Sequence, residues 1–161
     1  MNGVLPNQEI EKLIEIGSIT SDVPIDPEQI QPASLDLRLS GKAFRIRASF
    51  LPGRREKVED RLKSLKMHEI DLRDGAVLEK GCVYLVPLLE ELNLSQDIQA
   101  AANAKSSTGR LDLLTRVITN SGEEFDRVSS GYCGNLYAEI CPRSFSVSVS
   151  YTHLRAHETH E

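Results

Sequence analysis

Six residues in a row, Lys105-Ser106-Ser107-Thr108-Gly109-Arg110, lie between two apolar runs. Lys105 brings a flexible ammonium, and Arg110 a planar fork that can chelate oxygens. Ser106, Ser107 and Thr108 offer hydroxyls, and Gly109 lets backbone come close to a ligand. A short turn with exposed N–H groups would nest an anion such as phosphate. It is not a Walker loop, which needs an upstream glycine and then Gly-Lys-Ser/Thr opening a helix. The competing reading is a capped helical turn with Lys105 and Arg110 in water, and these residues alone support both equally.

A second candidate is the run Leu136-Tyr137-Ala138-Glu139-Ile140. Alternation puts Tyr137 and Glu139 on one face of a strand. A carboxylate set among apolar neighbours is a candidate general base. From alternation alone, a solvent-facing glutamate on an edge strand has the better claim.

Histidines 153, 157 and 160 crowd the last residues, at spacings that could share a helix face. The order HETHE is not the H-E-x-x-H of zinc proteases, and no metal site is expected there. Residues 149–159 resemble the in-frame translation of a transposon end joined to a sequencing adapter. The expectation is therefore a single domain over residues 1–148, incomplete at its C-terminus, followed by a loose non-native tail over 149–161. The native chain is expected to run on past Val149.

These groups must be positioned by a chain of 161 residues, 40% hydrophobic and 27% charged, which suits one folded domain. No window approaches a membrane span and the first residues lack a signal-peptide pattern, so a cytoplasmic protein without a membrane partner is expected. A net charge of −5 argues against nucleic acid as a partner. Cys82, Cys133 and Cys141 have no paired spacing and read as reduced thiols, Cys82 and Cys141 as small buried side chains.

Asn7 reads as the cap of a short helix with Ile10, Leu13 and Ile14 on one face and Gly17 at its end. Leu35, Leu37 and Leu39 alternate with Asp36 and Arg38, as in a strand with one buried face. Phe44, Ile46 and Ala48 are expected inward, Arg45 and Arg47 outward. Val58, Leu62 and Leu65 fall at helical spacing in a charged stretch, which reads as an inserted surface helix with solvated basic residues. Short strand-like runs recur at 68–72, 82–88, 98–104, 113–119, 135–140 and 144–149, with turns on Gly75, Gly81 and Gly131. The pattern predicts a mainly β sandwich or barrel.

PASLDLRL at 32–39, KSSTGR at 105–110 and GYCGNLYAEI at 131–140 together resemble the dCTP deaminases of the trimeric dUTPase-like superfamily, in order and approximate spacing. The likeness covers residues 30–147, and HEIDL and RVITNSGEEFD look closest to a long bacterial form with two fused domains. It implies a distorted dUTPase-like β-barrel of the β-clip type, with a short N-terminal helix and an inserted surface helix. It implies hydrolysis of dCTP to dUTP and ammonia, in the supply of dUTP and dTTP. Glu139 matches the catalytic glutamate, Arg110 the arginine that supports it, and Ser106 a residue that orients the attacking water. Lys105, Ser106, Ser107, Thr108, Gly109 and Arg110 match the triphosphate loop. Tyr137 and Ala138 lie where backbone meets the base, and Thr119 near the water. The resemblance also implies Mg2+ carried by the nucleotide, and a homotrimer or fused-repeat pseudo-trimer.

Zinc deaminases carry H-x-E and P-C-x-x-C signatures. Here His68 is followed directly by Glu69, and Cys141 precedes Pro142 without a partner cysteine, so no zinc is expected. A protein carboxylate would then move the protons. The chain departs from the family at 121–134, which is longer and lacks an Asp-Pro-Gly turn. Asp126 is a candidate for the deoxyribose 3′-hydroxyl, with a surface-loop aspartate as the alternative. Tyr132 reads as a packing aromatic, Asp36 and Arg38 as structural ion-pair partners. Sites of this superfamily lie between subunits, so an isolated copy is expected to be weakly active or inactive. The rival activities are dUTP diphosphatase, a bifunctional enzyme, or a non-catalytic nucleotide-binding copy.

Overall fold

The computed structural model describes residues 5–104, 112–149 and 155–160, with only the backbone given at Ala104 and 155–160. Lys105, Ser106, Ser107, Thr108, Gly109 and Arg110 lie outside the described residues, as does His153.

Helix α1 spans Asn7–Glu15, with Ile10 and Leu13 buried. Pro6, not Asn7, stands at the N-cap, and no side chain caps it. The Pro6 carbonyl accepts from Glu9 and Ile10, while the Asn7 N–H donates to Pro32 O at 3.0 Å. Proline is suited to a helix start because the first N–H groups have no helical acceptor. Gly17 ends the helix at φ +83°, where a side chain would be strained.

The strands follow as β1 Ile19–Ser21, β2 Ser34–Arg38, β3 Lys42–Ile46, then helix α2 Val58–Leu65, β4 Lys66–Asp71, β5 Ala76–Leu78 and β6 Val83–Asn93. Beyond them come β7 Ala100–Ala104, β8 Leu113–Thr119, β9 Arg127–Val128, β10 Cys133–Pro142, β11 Val147–Val149 and β12 Arg155–His160. The main sheet runs β4-β3-β6-β10-β8, with β1 on the far half of β6. A second sheet runs β2-β12-β7-β9, and β5 pairs with β11. The expected strands and both helices are present, as are left-handed glycines at Gly75, Gly81 and Gly131. Among the described residues no helix is long and apolar enough to cross a membrane.

Residues 155–160, expected to be loose, run as a strand between β2 and β7, with Ala156 opposite both Leu37 and Ala104. Strand β6 pairs with three strands, β1, β3 and β10. Tyr137 opposes Pro87 while Asn135 opposes Glu91, a register shift that marks a bulge. Pro87 has no N–H for a ladder, and its carbonyl instead accepts from Ser40 N at 2.9 Å.

Two apolar clusters lie on opposite faces of β10. Leu136, Ala138 and Ile140 join the main core with Leu35, Leu37 and Val86. Tyr137 joins a smaller one with Ile46, Phe50, Val58, Leu85 and Ile118. The inserted helix α2 therefore covers the second face, burying Val58 and packing Leu62 and Leu65 against it.

Three further expectations need correction. Ala48 is exposed, because β3 ends at Ile46. Strand β2 is not buried on one face only, since Asp36 is as inaccessible as Leu35 and Leu37. Arg38 finds its ionic partner in fully buried Glu90, which accepts from Arg38 N at 2.6 Å and Arg38 Nε at 2.8 Å. Gln29 Nε2 reaches the same carboxylate at 3.4 Å. Strand β6 thus carries an acid that ties β2 and the turn at Pro27–Gln29 to it.

Candidate active site around Glu139

Strand β10 is central, between β6 and β8, so neither of its edges is free, and an apolar cluster lies against each of its faces. Glu139 opposes Leu85 on one side and Arg116 on the other, and only 2% of it is exposed. The solvent-facing edge-strand reading of Glu139 is therefore wrong: β8 and β6 remove the edge on which it depended.

Arg116 Nε donates to Glu139 Oε2 at 3.1 Å. The other oxygen, Oε1, is buried and has no hydrogen-bond partner among the described residues. An unpaired buried carboxylate oxygen carries a desolvation cost and has lone pairs aimed at no donor. The guanidinium carbon of Arg116 lies 4.1 Å from the Phe125 ring centroid, a cation–π stack. One arginine is thus fixed from two sides, by a carboxylate and a ring.

Tyr137 and Glu139 share a face, as alternation requires. Tyr137 is buried, and its hydroxyl donates to Glu59 Oε1 at 3.0 Å. Burial pushes its phenol above the ordinary tyrosine range. Ala138 points into the main core, its backbone set in the ladders between Val86 and Val117.

The segment carrying Lys105 to Arg110 joins β7 to β8. Its downstream end enters the sheet at Leu113, opposite Pro142. Three residues of strand, about 10 Å at the usual rise, separate that point from Arg116 and Glu139. Thr119, at the other end of β8, is buried opposite Leu136, so its side chain faces away from Glu139. Its carbonyl accepts from Gly122 N at 3.1 Å. Thr119 also lines an open depression of about 390 Å³ with Gln99, Gly122, Glu123 and Arg127.

Asp126 holds a loop in place. Its Oδ1 accepts from Val117 N at 2.8 Å. Its own N–H donates to Val117 O at 2.9 Å, and its carbonyl accepts from Ala102 N at 3.0 Å. Burial pushes its carboxyl above the ordinary aspartate range, offset in part by the Val117 N–H and then by Arg116. Tyr132 packs as expected, donating to Asn135 O and accepting from Asn120 N.

Sequence reasoning missed Arg116, Phe125 and Glu59. One signal for Arg116 was present: a lone charge in the apolar run at 113–119, on a strand near one with a lone glutamate. Opposite charges in such a pair stabilise antiparallel neighbours. The register that joins them was not readable. All three cysteines are free, and Cys133 is exposed. Among the described residues, no three or more His, Cys, Asp or Glu are grouped to hold a metal.

Residues 1–156 match the family model described as 2′-deoxycytidine 5′-triphosphate deaminase (DCD) N-terminal domain. A Tropheryma whipplei (strain Twist) protein named "dCTP deaminase, dUMP-forming" is 35% identical over 137 residues, 85% of this chain and 66% of its own length. A Beutenbergia cavernae protein of the same name is 32% identical, over 85% and 67% of the two chains. The crystal structure of 2′-deoxycytidine 5′-triphosphate deaminase from Agrobacterium tumefaciens superposes with a TM-score of 0.94 at 49% identity. That match covers 98% of this chain and 47% of the solved one, so the chain spans about half the length of its structural relative. The mainly β, dUTPase-like fold expected from the sequence is the fold observed.

Proposed function

The chain belongs to the family of 2′-deoxycytidine 5′-triphosphate deaminase N-terminal domains, and from that premise we propose that it carries the machinery for hydrolytic deamination of dCTP to dUTP and ammonia. The observation that carries the proposal is Glu139: buried, tied through one oxygen to Arg116, and with the other oxygen unengaged among the described residues.

The chemistry follows from that arrangement. Glu139 Oε1 takes a proton from water as its oxygen bonds to C4 of the pyrimidine, and gives that proton to N3. The second water proton goes to the exocyclic nitrogen, the C4–N bond breaks, and ammonia leaves a uracil ring. Ser106 orients the water, and Arg110 gives Glu139 further support. Lys105, Ser106, Ser107, Thr108 and Gly109 hold the triphosphate, which carries its own Mg2+. Thr119, Tyr137 and Ala138 lie nearest the base and the water. Asp126 reaches the 3′-hydroxyl through the oxygen that Val117 does not engage. No zinc takes part, and the working assembly is a trimer of such domains.

A second reading continues to dUMP with loss of pyrophosphate. The names of the T. whipplei and B. cavernae relatives favour it.

The test is incubation of the 161-residue chain with an equal amount of dCTP, so that slow turnover is seen. Ammonia is measured enzymatically and phosphorus products by 31P NMR. Ammonia from the wild type and none from Glu139→Gln supports the proposal; no ammonia from the wild type overturns it. Pyrophosphate appearing with the ammonia selects the second reading.

A further inference from the structure

We propose that Arg116 is the residue that positions Glu139 for proton transfer, and that the loop at 120–131 holds Arg116 for this task. The inference rests on the deaminase reading of Glu139.

Three observations lead to it. First, Arg116 engages a single oxygen of Glu139, through Nε at 3.1 Å. A guanidinium can pair both oxygens of a carboxylate in a fork. Here only Oε2 is used, and Oε1 is left buried and unpartnered among the described residues. The two oxygens are thereby made unequal. Oε2 is an anchor, and Oε1 is the oxygen free to exchange a proton. A carboxylate without that anchor can rotate about its last torsion, a broad two-fold well.

Second, Arg116 is itself fixed. It has a long side chain, 31% exposed, which would ordinarily sample many rotamers. The Phe125 ring, 4.1 Å from the guanidinium carbon, removes much of that freedom. With the guanidinium carbon held over the ring, Nε donates to the acid.

Third, Phe125 is placed by its neighbour. Asp126 grips the backbone of Val117, next to Arg116, through its carboxylate and its own N–H. It also accepts from Ala102 N on β7. Asp126 takes a left-handed φ of +61°, which turns the chain sharply at this contact. The loop is therefore fastened to β8 and β7 right beside Phe125, the residue that stacks on Arg116.

The arrangement suits a reaction in which one carboxylate must accept and then donate a proton within a single turnover. A misplacement of about 1 Å in such a group can cost roughly 100-fold in rate. Arg116 touches neither water nor base in this account, so its loss should slow chemistry and spare binding.

The test uses the same equimolar dCTP assay, with nucleotide affinity from calorimetry and folding from thermal unfolding. Arg116→Met is expected to lower the rate roughly 100-fold with the dCTP dissociation constant changed by no more than about threefold. Arg116→Lys, which keeps the charge but not the geometry, recovers part of the rate. Phe125→Leu gives an intermediate loss, and adds nothing further on top of Arg116→Met, because both act through one contact. Arg73→Gln, which removes an exposed guanidinium paired with Asp71, leaves the rate unchanged. If Arg116→Met fails to fold, Arg116→Lys and Phe125→Leu carry the test. The inference is overturned if the folded Arg116 variants turn over like Arg73→Gln, or if affinity and rate fall together. Wild-type protein that releases no ammonia overturns the deaminase reading, and this inference with it. Wild-type turnover that ignores Arg116 removes the inference alone.

Discussion

The hydroxyl of Tyr137 is bonded to Glu59 Oε1 at 3.0 Å, joining β10 to a helix residue 78 positions earlier in the chain. This contact ties the inserted helix to the strand that carries Glu139. The same insert is tied to the far end of β8, where Val58 N donates to Asn120 Oδ1 at 2.8 Å and Ser121 N to Glu56 O at 2.7 Å. The insert is thus a cover for the second face of the sheet, with its apolar side on Tyr137 and Ile118 and its charges outward.

Tyr137→Phe removes one hydrogen bond from that cover. Glu59 is exposed and regains water when its partner is lost. The expected cost is therefore the ordinary net value of a hydrogen bond, about 0.5–1.5 kcal/mol, read as a lower denaturant midpoint at unchanged slope. Amide exchange in α2 should speed up more than exchange in β2. Equal acceleration in both elements would contradict the picture of α2 as a separately fastened cover.

Ile118→Val and Ile118→Ala test the packing under the same cover. Ile118 is fully buried in the second apolar cluster. The expected losses are about 0.5–1.5 kcal/mol for the first and about 2–5 kcal/mol for the second, measured by urea unfolding. A loss below about 0.5 kcal/mol for Ile118→Ala would mean that α2 does not close this cluster in solution.

Arg38 and Glu90 form the ion pair of the opposite core. Glu90 has no exposed surface, and the Arg38 side chain is only 13% exposed. Arg38→Met leaves a carboxylate buried beside one backbone N–H and Gln29, and should cost about 3–5 kcal/mol. Adding Glu90→Met recovers part of this. It cannot recover all, because the Arg38 N–H then lacks its acceptor. Additive effects of the two changes would show that the pair is not coupled.

Much of this architecture is legible in the residues, and the exceptions have physical reasons. Leu35, Leu37 and the run at 135–140 announce strands, because a period of two is forced by the pleat. Val58, Leu62 and Leu65 announce a helix in the same way. Alternation also placed Tyr137 and Glu139 together. It could not tell that Glu139 is buried, because burial depends on what distant segments pack on that face of β10, and register is set by long-range pairing. The pairing of Arg116 with Glu139 was unreadable for the same reason: the two lie 23 residues apart. Asp36 was expected outward and is buried, since β2 is covered on both faces. The motif at 105–110 carries the clearest chemical signal in the chain and lies outside the described residues, so its part in the site rests on the family.

Asp126 gives a prediction in pH. Burial raises its carboxyl pKa above the ordinary aspartate value of 3.8, while the Val117 N–H and Arg116 pull it back in part. Between the ordinary and the raised value, the folded protein binds more protons at this site than the unfolded chain. Stability from this group is therefore highest below the ordinary value and falls as pH climbs through the raised one. At neutral pH the protein holds a half-buried carboxylate at a cost. Asp126→Asn keeps an oxygen for Val117 N–H, tolerates the left-handed φ, and carries no charge to desolvate. The variant should unfold at a higher temperature than wild type at pH 7, and the gap should narrow as pH falls through the raised value, where the wild-type carboxyl gains its proton. Melting curves of both proteins across that range decide it. A gap that widens toward acid, or a less stable variant at pH 7, would mean that attraction to Arg116 outweighs burial at this carboxylate.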